Sequence, residues 1–140
     1  MTDEIDGLLR VTTLLRERAL EQYRRDLDEE ARLQAEKDRI DALRMQVFTA
    51  EQDLSARRLT GADTLWQGWL AGRRGQLNQE IAMARARQAH SMNAAQAAFS
   101  RDEAAKDLAH RKAVARARAR LAADEASLEA LSRLSARLPD

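Results

Sequence analysis

The strongest constraint on this chain is where its helix breakers are placed. Its one proline is Pro139, and four of its five glycines fall in one window: Gly61, Gly68, Gly72 and Gly75. Both tryptophans, Trp66 and Trp69, lie in the same window. Proline and glycine are the residues that end or weaken helices, so the sequence on either side is free to run as long helix. It also has the right residues to do so. Alanine (28), leucine (19) and arginine (21) together fill 68 of 140 positions. That composition belongs to extended helix or coiled coil. Few aromatic and β-branched residues disfavour a sheet. With no cysteine there is neither a disulfide framework nor a thiolate metal site. No glycine-rich nucleotide loop is present either.

The simplest parse is an all-α chain, 1–140, folded as one long antiparallel two-helix coiled coil, a helical hairpin. A first helix is expected over about 3–59, a turn at about 60–64 and a second helix over about 65–137. Thr2 is an acceptable N-cap, and Asp3, Glu4 and Asp6 complement the helix N-terminus. Gly61 suits the position after a helix end, and Asp63 or Thr64 can cap the next helix. A short turn makes two helices antiparallel neighbours. The expected shape is a rod, with both chain ends at one tip and the Trp/Gly window at the other.

The seam is read from spacing. Leu33, Ile40, Val47 and Leu54 repeat by seven, with Leu43 and Ala50 between them. Ile5, Leu8 and Leu15 fit the same frame, but Gln22, Asp26 and Glu29 interrupt it, where Leu20, Tyr23 and Leu27 take over. A shifted frame predicts a locally irregular supercoil. In the second helix Val114, Leu121 and Leu128 repeat by seven, joined by Ala117, Leu131 and Leu138. Met92, Ala95 and Phe99 form a patch upstream. Acid-first pairs at i,i+4 add small increments: Glu21 with Arg25, Asp28 with Arg32, Asp53 with Arg57 and Glu129 with Arg133.

Charge is nearly balanced, with 24 basic and 23 acidic groups, but it is unevenly spread. Residues 1–60 carry 11 basic against 14 acidic groups, and residues 73–120 carry 11 against 4. The favoured reading is that the basic block faces the acidic first half of its own chain. Within it, Lys112, Arg116 and Arg120 share one helix face. Phosphate contacts are conceivable there, but no aromatic residues interleave for stacking, and a solvated or partner-facing flank is preferred over nucleic acid.

The chemistry of a catalytic or metal centre is not in evidence. His90 and His110 are twenty residues apart, without the i,i+4 spacing of a helical metal site. No arrangement of carboxylates suggests a pocket that would shift their pKa values, so the expectation is no enzyme, no cofactor and no metal. No apolar run approaches the roughly 20 residues that span a bilayer, and the acidic start is unlike a signal peptide. A cytoplasmic protein, monomeric when alone and not inserted in a membrane, is expected.

The window at 65–77 is the most informative for function. Treated as helix, it places Trp66, Trp69, Leu70, Arg73 and Leu77 on one side and Gly68, Gly72 and Gly75 on the other. Either the aromatic side packs on the first helix, or it is exposed and docks a partner.

The layout resembles the small coiled-coil stalk proteins of type III export systems, the FliJ/YscO family. The resemblance rests on the chain length and on the opening Leu8-Leu9-Arg10-Val11 with Leu14-Leu15-Arg16. It rests further on the stretch Trp66-Gln67-Gly68-Trp69-Leu70 followed by Leu77, Ile81 and Gln88, on the Arg/Ala-rich second helix, and on Asp124-Glu125. It implies a stalk that inserts the end bearing both termini into a hexameric export ATPase at the cytoplasmic face of a flagellar or injectisome export apparatus. Such a stalk promotes assembly and activity of the ring, links it to the membrane export gate and, in some members, escorts export chaperones. Carried over, the ATPase-facing candidates are Leu8, Leu9, Arg10, Leu14, Arg16, Arg133 and Arg137. The gate-facing candidates are Trp66, Trp69 and Leu70. One departure is that Gly72 and Arg73 stand where flagellar members tend to place a large apolar residue. The alternative is a generic coiled-coil adaptor or chaperone-like interaction module.

Overall fold

A computed structural model describes residues 2–50 and 62–139. It contains two helices, α1 (Thr2–Ala50, 49 residues) and α2 (Ala62–Arg137, 76 residues), and no strand among the described residues. The helices pack against each other as an antiparallel hairpin. The fold class read from composition is therefore the observed one. The boundaries differ in detail. α2 begins at Ala62, so residues 62–64 of the expected turn are already helical. Gly61, the rest of that turn, Leu54 and the Asp53–Arg57 pair lie outside the described residues.

The packing divides into two compact units, Arg16–Ala97 and a terminal unit made of Met1–Leu15 with Ala98–Asp140. In the Arg16–Ala97 unit the core is a cluster of Leu33, Ile40, Leu70, Leu77, Ile81 and Ala84. Among the buried and half-buried positions of α1 there, the run Arg16, Ala19, Tyr23, Asp26, Glu30, Leu33, Lys37 and Ile40 forms the seam, with Glu29, Gln34, Glu36 and Asp41 half-buried beside it. Along α2 the run is Leu70, Arg74, Leu77, Ile81, Ala84, Gln88, Ser91 and Ala95, with Arg73 half-buried beside it. Both runs step alternately by three and four, which is the heptad seam of a coiled coil. The interruption expected at Gln22, Asp26 and Glu29 is not a change of frame. Asp26 occupies a seam position in register with Ala19 and Leu33, and accepts a hydrogen bond from Gln22 at 3.2 Å. Leu20 and Leu27, expected to take over the stripe, are exposed.

Cross-helix ion pairs fix this unit from the flanks. Arg73 donates two hydrogen bonds to one carboxylate oxygen of Glu36, at 3.0 and 2.6 Å. Arg74 lies 2.8 Å from Asp41, and Arg85 lies 2.8 Å from Glu30. Arg73 and Arg74 pair with Glu36 and Asp41, and Arg85, further along α2, pairs with Glu30, earlier on α1, as antiparallel helices require. They also bear out, for this part of α2, the reading that its basic residues face the acidic first helix. Along single helices, Glu21–Arg25 forms at 2.8 Å and Glu129–Arg133 at 3.7 Å. Arg32 pairs with Glu29 at 2.7 Å rather than with Asp28.

In the terminal unit the seam is Ile5, Leu9 and Thr12 against Ala98, Asp102, Ala105 and Ala109. Leu8 and Leu15, expected in the seam, are exposed instead. Beyond Ala109 only Val114 is half-buried, and every residue from Ala115 to Pro139 is exposed. Leu121, Leu128, Leu131 and Leu138 therefore do not form the seam that their spacing suggested. The physical reason is length. Ile5 is already level with Ala109, whereas α2 continues another 28 residues to Arg137, about 40 Å at 1.5 Å per residue. The first residues of α1 and the last of α2 therefore do not meet at one tip, and α2 runs on as a long arm that α1 does not cover.

Candidate functional site

Trp66 and Trp69 sit three residues apart on the first turns of α2, with ring centroids 5.3 Å apart and planes inclined by 13°. They are 43% and 56% exposed, and Leu65 beside them is exposed too. Of the two readings left open by the sequence, the aromatic pair is therefore the exposed one. Leu70 is the correction. It is wholly buried in the core with Leu33, Ile40 and Leu77, so it holds α2 to α1 and cannot present itself to a partner. Its spacing explains the difference: seven residues before Leu77 and eleven before Ile81, it is in the seam frame, whereas the two tryptophans flank it. On the far side, a Cβ placed on Gly68, Gly72 or Gly75 would meet nothing within 4 Å. Those glycines leave bare, uncontacted helix backbone behind the indoles.

The ATPase-facing candidates divide by position. Leu8, Arg10 and Leu14 are exposed on α1 of the terminal unit, with Val11 and Leu15 exposed alongside. Leu9 is half-buried in the seam, and Arg16 is half-buried at a seam position of the other unit. Arg133 and Arg137 are exposed on the unpaired arm of α2, with Arg133 near Glu129. Leu8 lies opposite the neighbourhood of Lys106, so Arg133 is some 40 Å further along the helix at about 1.5 Å per residue. Leu8, Arg10 and Leu14 are all exposed within two turns of α1, with Arg10 and Leu14 on one side and Leu8 on another at 100° per residue, and the two arginines of the arm are not brought to them.

One residue of consequence escaped the sequence reading. Asp102 is fully buried in the terminal seam. Its Oδ1 accepts hydrogen bonds from Thr12 Oγ1 at 3.0 Å and Thr13 Oγ1 at 3.1 Å, and Lys106 Nζ stands 3.1 Å from Oδ2. Burial pushes this carboxyl's pKa up, but the Lys106 ammonium and the two threonine hydroxyls outweigh it, leaving the group below the usual carboxylate value. Its spacing, four after Ala98 and three before Ala105, is the signal that could have revealed it.

Among the described residues the basic run 111–120 has no acidic partner from α1. Its five basic residues are exposed, and Arg111 pairs at 3.0 Å with Asp107 of its own helix. A shallow groove bordered by Gln22, Asp26, Arg87, His90 and Ser91 lies on the Arg16–Ala97 unit. Among the described residues no helix is long and apolar enough to cross a membrane. In the comparisons with known proteins, no family model, curated protein or solved structure matches the chain.

Proposed function

We propose that this chain is the stalk of a type III protein export ATPase, linking the hexameric ring to the export gate at the cytoplasmic face of the apparatus. One observation carries the reading. Among the positions that resemble the family's contact residues, Leu8 and Leu14 on α1 and Trp66 and Trp69 on α2 are large apolar side chains left exposed on an antiparallel hairpin. Large apolar groups held outward on a two-helix scaffold are suited to partner contacts, since aromatic anchors in particular carry binding energy when a partner desolvates them. Leu8, Arg10 and Leu14 are the ring-facing residues in this reading, and the Trp66–Trp69 pair faces the gate or a chaperone. Leu70, buried in the core, takes no direct part.

The test is to titrate the chain into its cognate export ATPase. Hydrolysis and the hexameric fraction should both rise, and Leu8→Asp with Leu14→Asp should abolish the effect while leaving the hairpin's helicity intact. An ATPase indifferent to the chain overturns the proposal. The alternative of a coiled-coil adaptor draws on the unpaired apolar arm of α2, and it predicts binding to an export chaperone that does not require the ATPase.

A further inference from the structure

The arm of α2 beyond Ala109 carries a second heptad stripe: Val114, Ala117, Leu121, Asp124, Leu128, Leu131, Ser135 and Leu138. It steps alternately by three and four over about three and a half heptads, enough for a coiled coil. It is not a continuation of the hairpin seam. Carried forward from Ala105 and Ala109, the seam frame falls on Lys112, Arg116, Ala119 and Ala123. The stripe lies two positions away from it and turns from the side that faces α1. The arm is thus amphipathic for a partner other than its own first helix, and Leu121, Leu128 and Leu131 are each more than 60% exposed.

The distribution of charge selects the partner. Residues 111–120 carry five basic groups and no acidic one, while residues 121–132 carry Asp124, Glu125 and Glu129 and no basic one. An arm that is positive in one half and negative in the next is complementary to itself when reversed. Pairing two arms antiparallel about a point between Ala122 and Ala123 puts Arg116 level with Glu129 and Arg120 level with Glu125 of the second copy. The same register sets Val114 against Leu131 and Ala117 against Leu128. Parallel pairing instead sets Asp124 against Asp124 and five cations against five, which like-charge repulsion in a coiled coil opposes.

We infer that the C-terminal arm of α2 pairs antiparallel with the same arm of a second copy of this chain. The inference rests on the exposed stripe and its charges, independently of the export reading. Asp124 and Ala117 interrupt the apolar rungs, so the association is weak and salt-sensitive. It departs from the monomer expected from the sequence because the stripe then assigned to the hairpin seam is left uncovered.

Sedimentation tests it on the full chain, which should be monomeric near 1 µM and dimeric near 0.5 mM, roughly the range of a weak complex. Raising salt to about 0.5 M should reverse much of the dimer. Leu121→Asp with Leu128→Asp should weaken association at least ~10-fold without changing the thermal unfolding of the hairpin, and Asp124→Leu should tighten it by a similar factor. The chain has no native cysteine. A mixture of Val114→Cys and Leu131→Cys chains should therefore oxidise to the mixed disulfide, whereas Val114→Cys alone should not cross-link. Ready cross-linking of Val114→Cys with itself would show parallel pairing and overturn the inference. So would a chain monomeric at every concentration, including one whose arm is protected from amide exchange only when the export ATPase is added. That last outcome would leave the stalk proposal standing while removing this one.

Discussion

Thr12 Oγ1 on α1 donates a 3.0 Å hydrogen bond to the buried Oδ1 of Asp102 on α2, ninety residues away in the chain. In an antiparallel pair that alignment sets Leu9 level with Ala105 and Ile5 level with Ala109 within the terminal unit, all of them buried or half-buried. A seam rich in alanine leaves register weakly specified, because small side chains tolerate a slip of the partner helix. A buried carboxylate that finds its hydroxyl donors in only one alignment removes that freedom, the best-attested use of buried polar groups in coiled coils.

Asp102→Ala removes the cross-helix acceptor of Thr12 and Thr13, leaves the Thr12 hydroxyl only the Leu9 carbonyl at 3.1 Å, and opens a gap, so it should lower the melting temperature. Asp102→Leu should recover much of that loss through apolar contact and yet loosen the register. Disulfide cross-linking between Leu9→Cys and Ala105→Cys in the same chain reports it. Cross-linking should be fast and unique in the parent, and in Asp102→Leu it should be accompanied by out-of-register products.

The lowered pKa of Asp102 sets a direction for acid stability. A carboxyl whose folded pKa lies below its unfolded value contributes stability that is present above the unfolded value and lost as pH falls through the folded one. The parent should therefore lose melting temperature more steeply than Asp102→Asn as pH falls below about 4, the unfolded carboxylate range. Parallel pH profiles for the two proteins would contradict this role.

Leu77 is fully buried in the Arg16–Ala97 core, whereas Leu121 lies exposed on the arm. Leu77→Ala should cost about 2–4 kcal/mol in urea unfolding, the usual penalty for emptying a buried leucine site. Leu121→Ala should change hairpin stability by less than about 0.5 kcal/mol at low protein concentration.

Gly68, Gly72 and Gly75 are helical, and an added methyl meets nothing at any of them. Each glycine-to-alanine change should raise stability by up to about 1 kcal/mol. If the bare backbone beside the Trp pair is part of a contact surface, the triple variant will be more stable but will bind its partner less well. Urea midpoints and pull-down affinity separate the two effects.

The hairpin was legible in the sequence because breakers are scarce and clustered. The first-helix core, Leu33 and Ile40, was legible because large residues recur there by seven. The seam of α2 was not, since between Ile81 and Ala109 it is built from Ala84, Gln88, Ser91, Ala95, Ala98, Asp102 and Ala105, whose hydropathy scarcely alternates with their neighbours'. The stronger heptad, Val114-Leu121-Leu128, belongs to the unpaired arm and misdirects a search for the seam. Leu70 was grouped with the tryptophans by position along one helix face. What separates them is the partner's location, which only Leu77 and Ile81 in frame with Leu70 reveal.

Whether the exposed apolar residues of this hairpin engage an export ATPase, as proposed, is decided by measuring ATP hydrolysis by the cognate ATPase with increasing amounts of the chain. Stimulation should be saturable and accompanied by hexamer formation, lost in Leu8→Asp/Leu14→Asp and retained in Leu121→Asp/Leu128→Asp. Unchanged hydrolysis and an unchanged oligomeric state across the titration would contradict it.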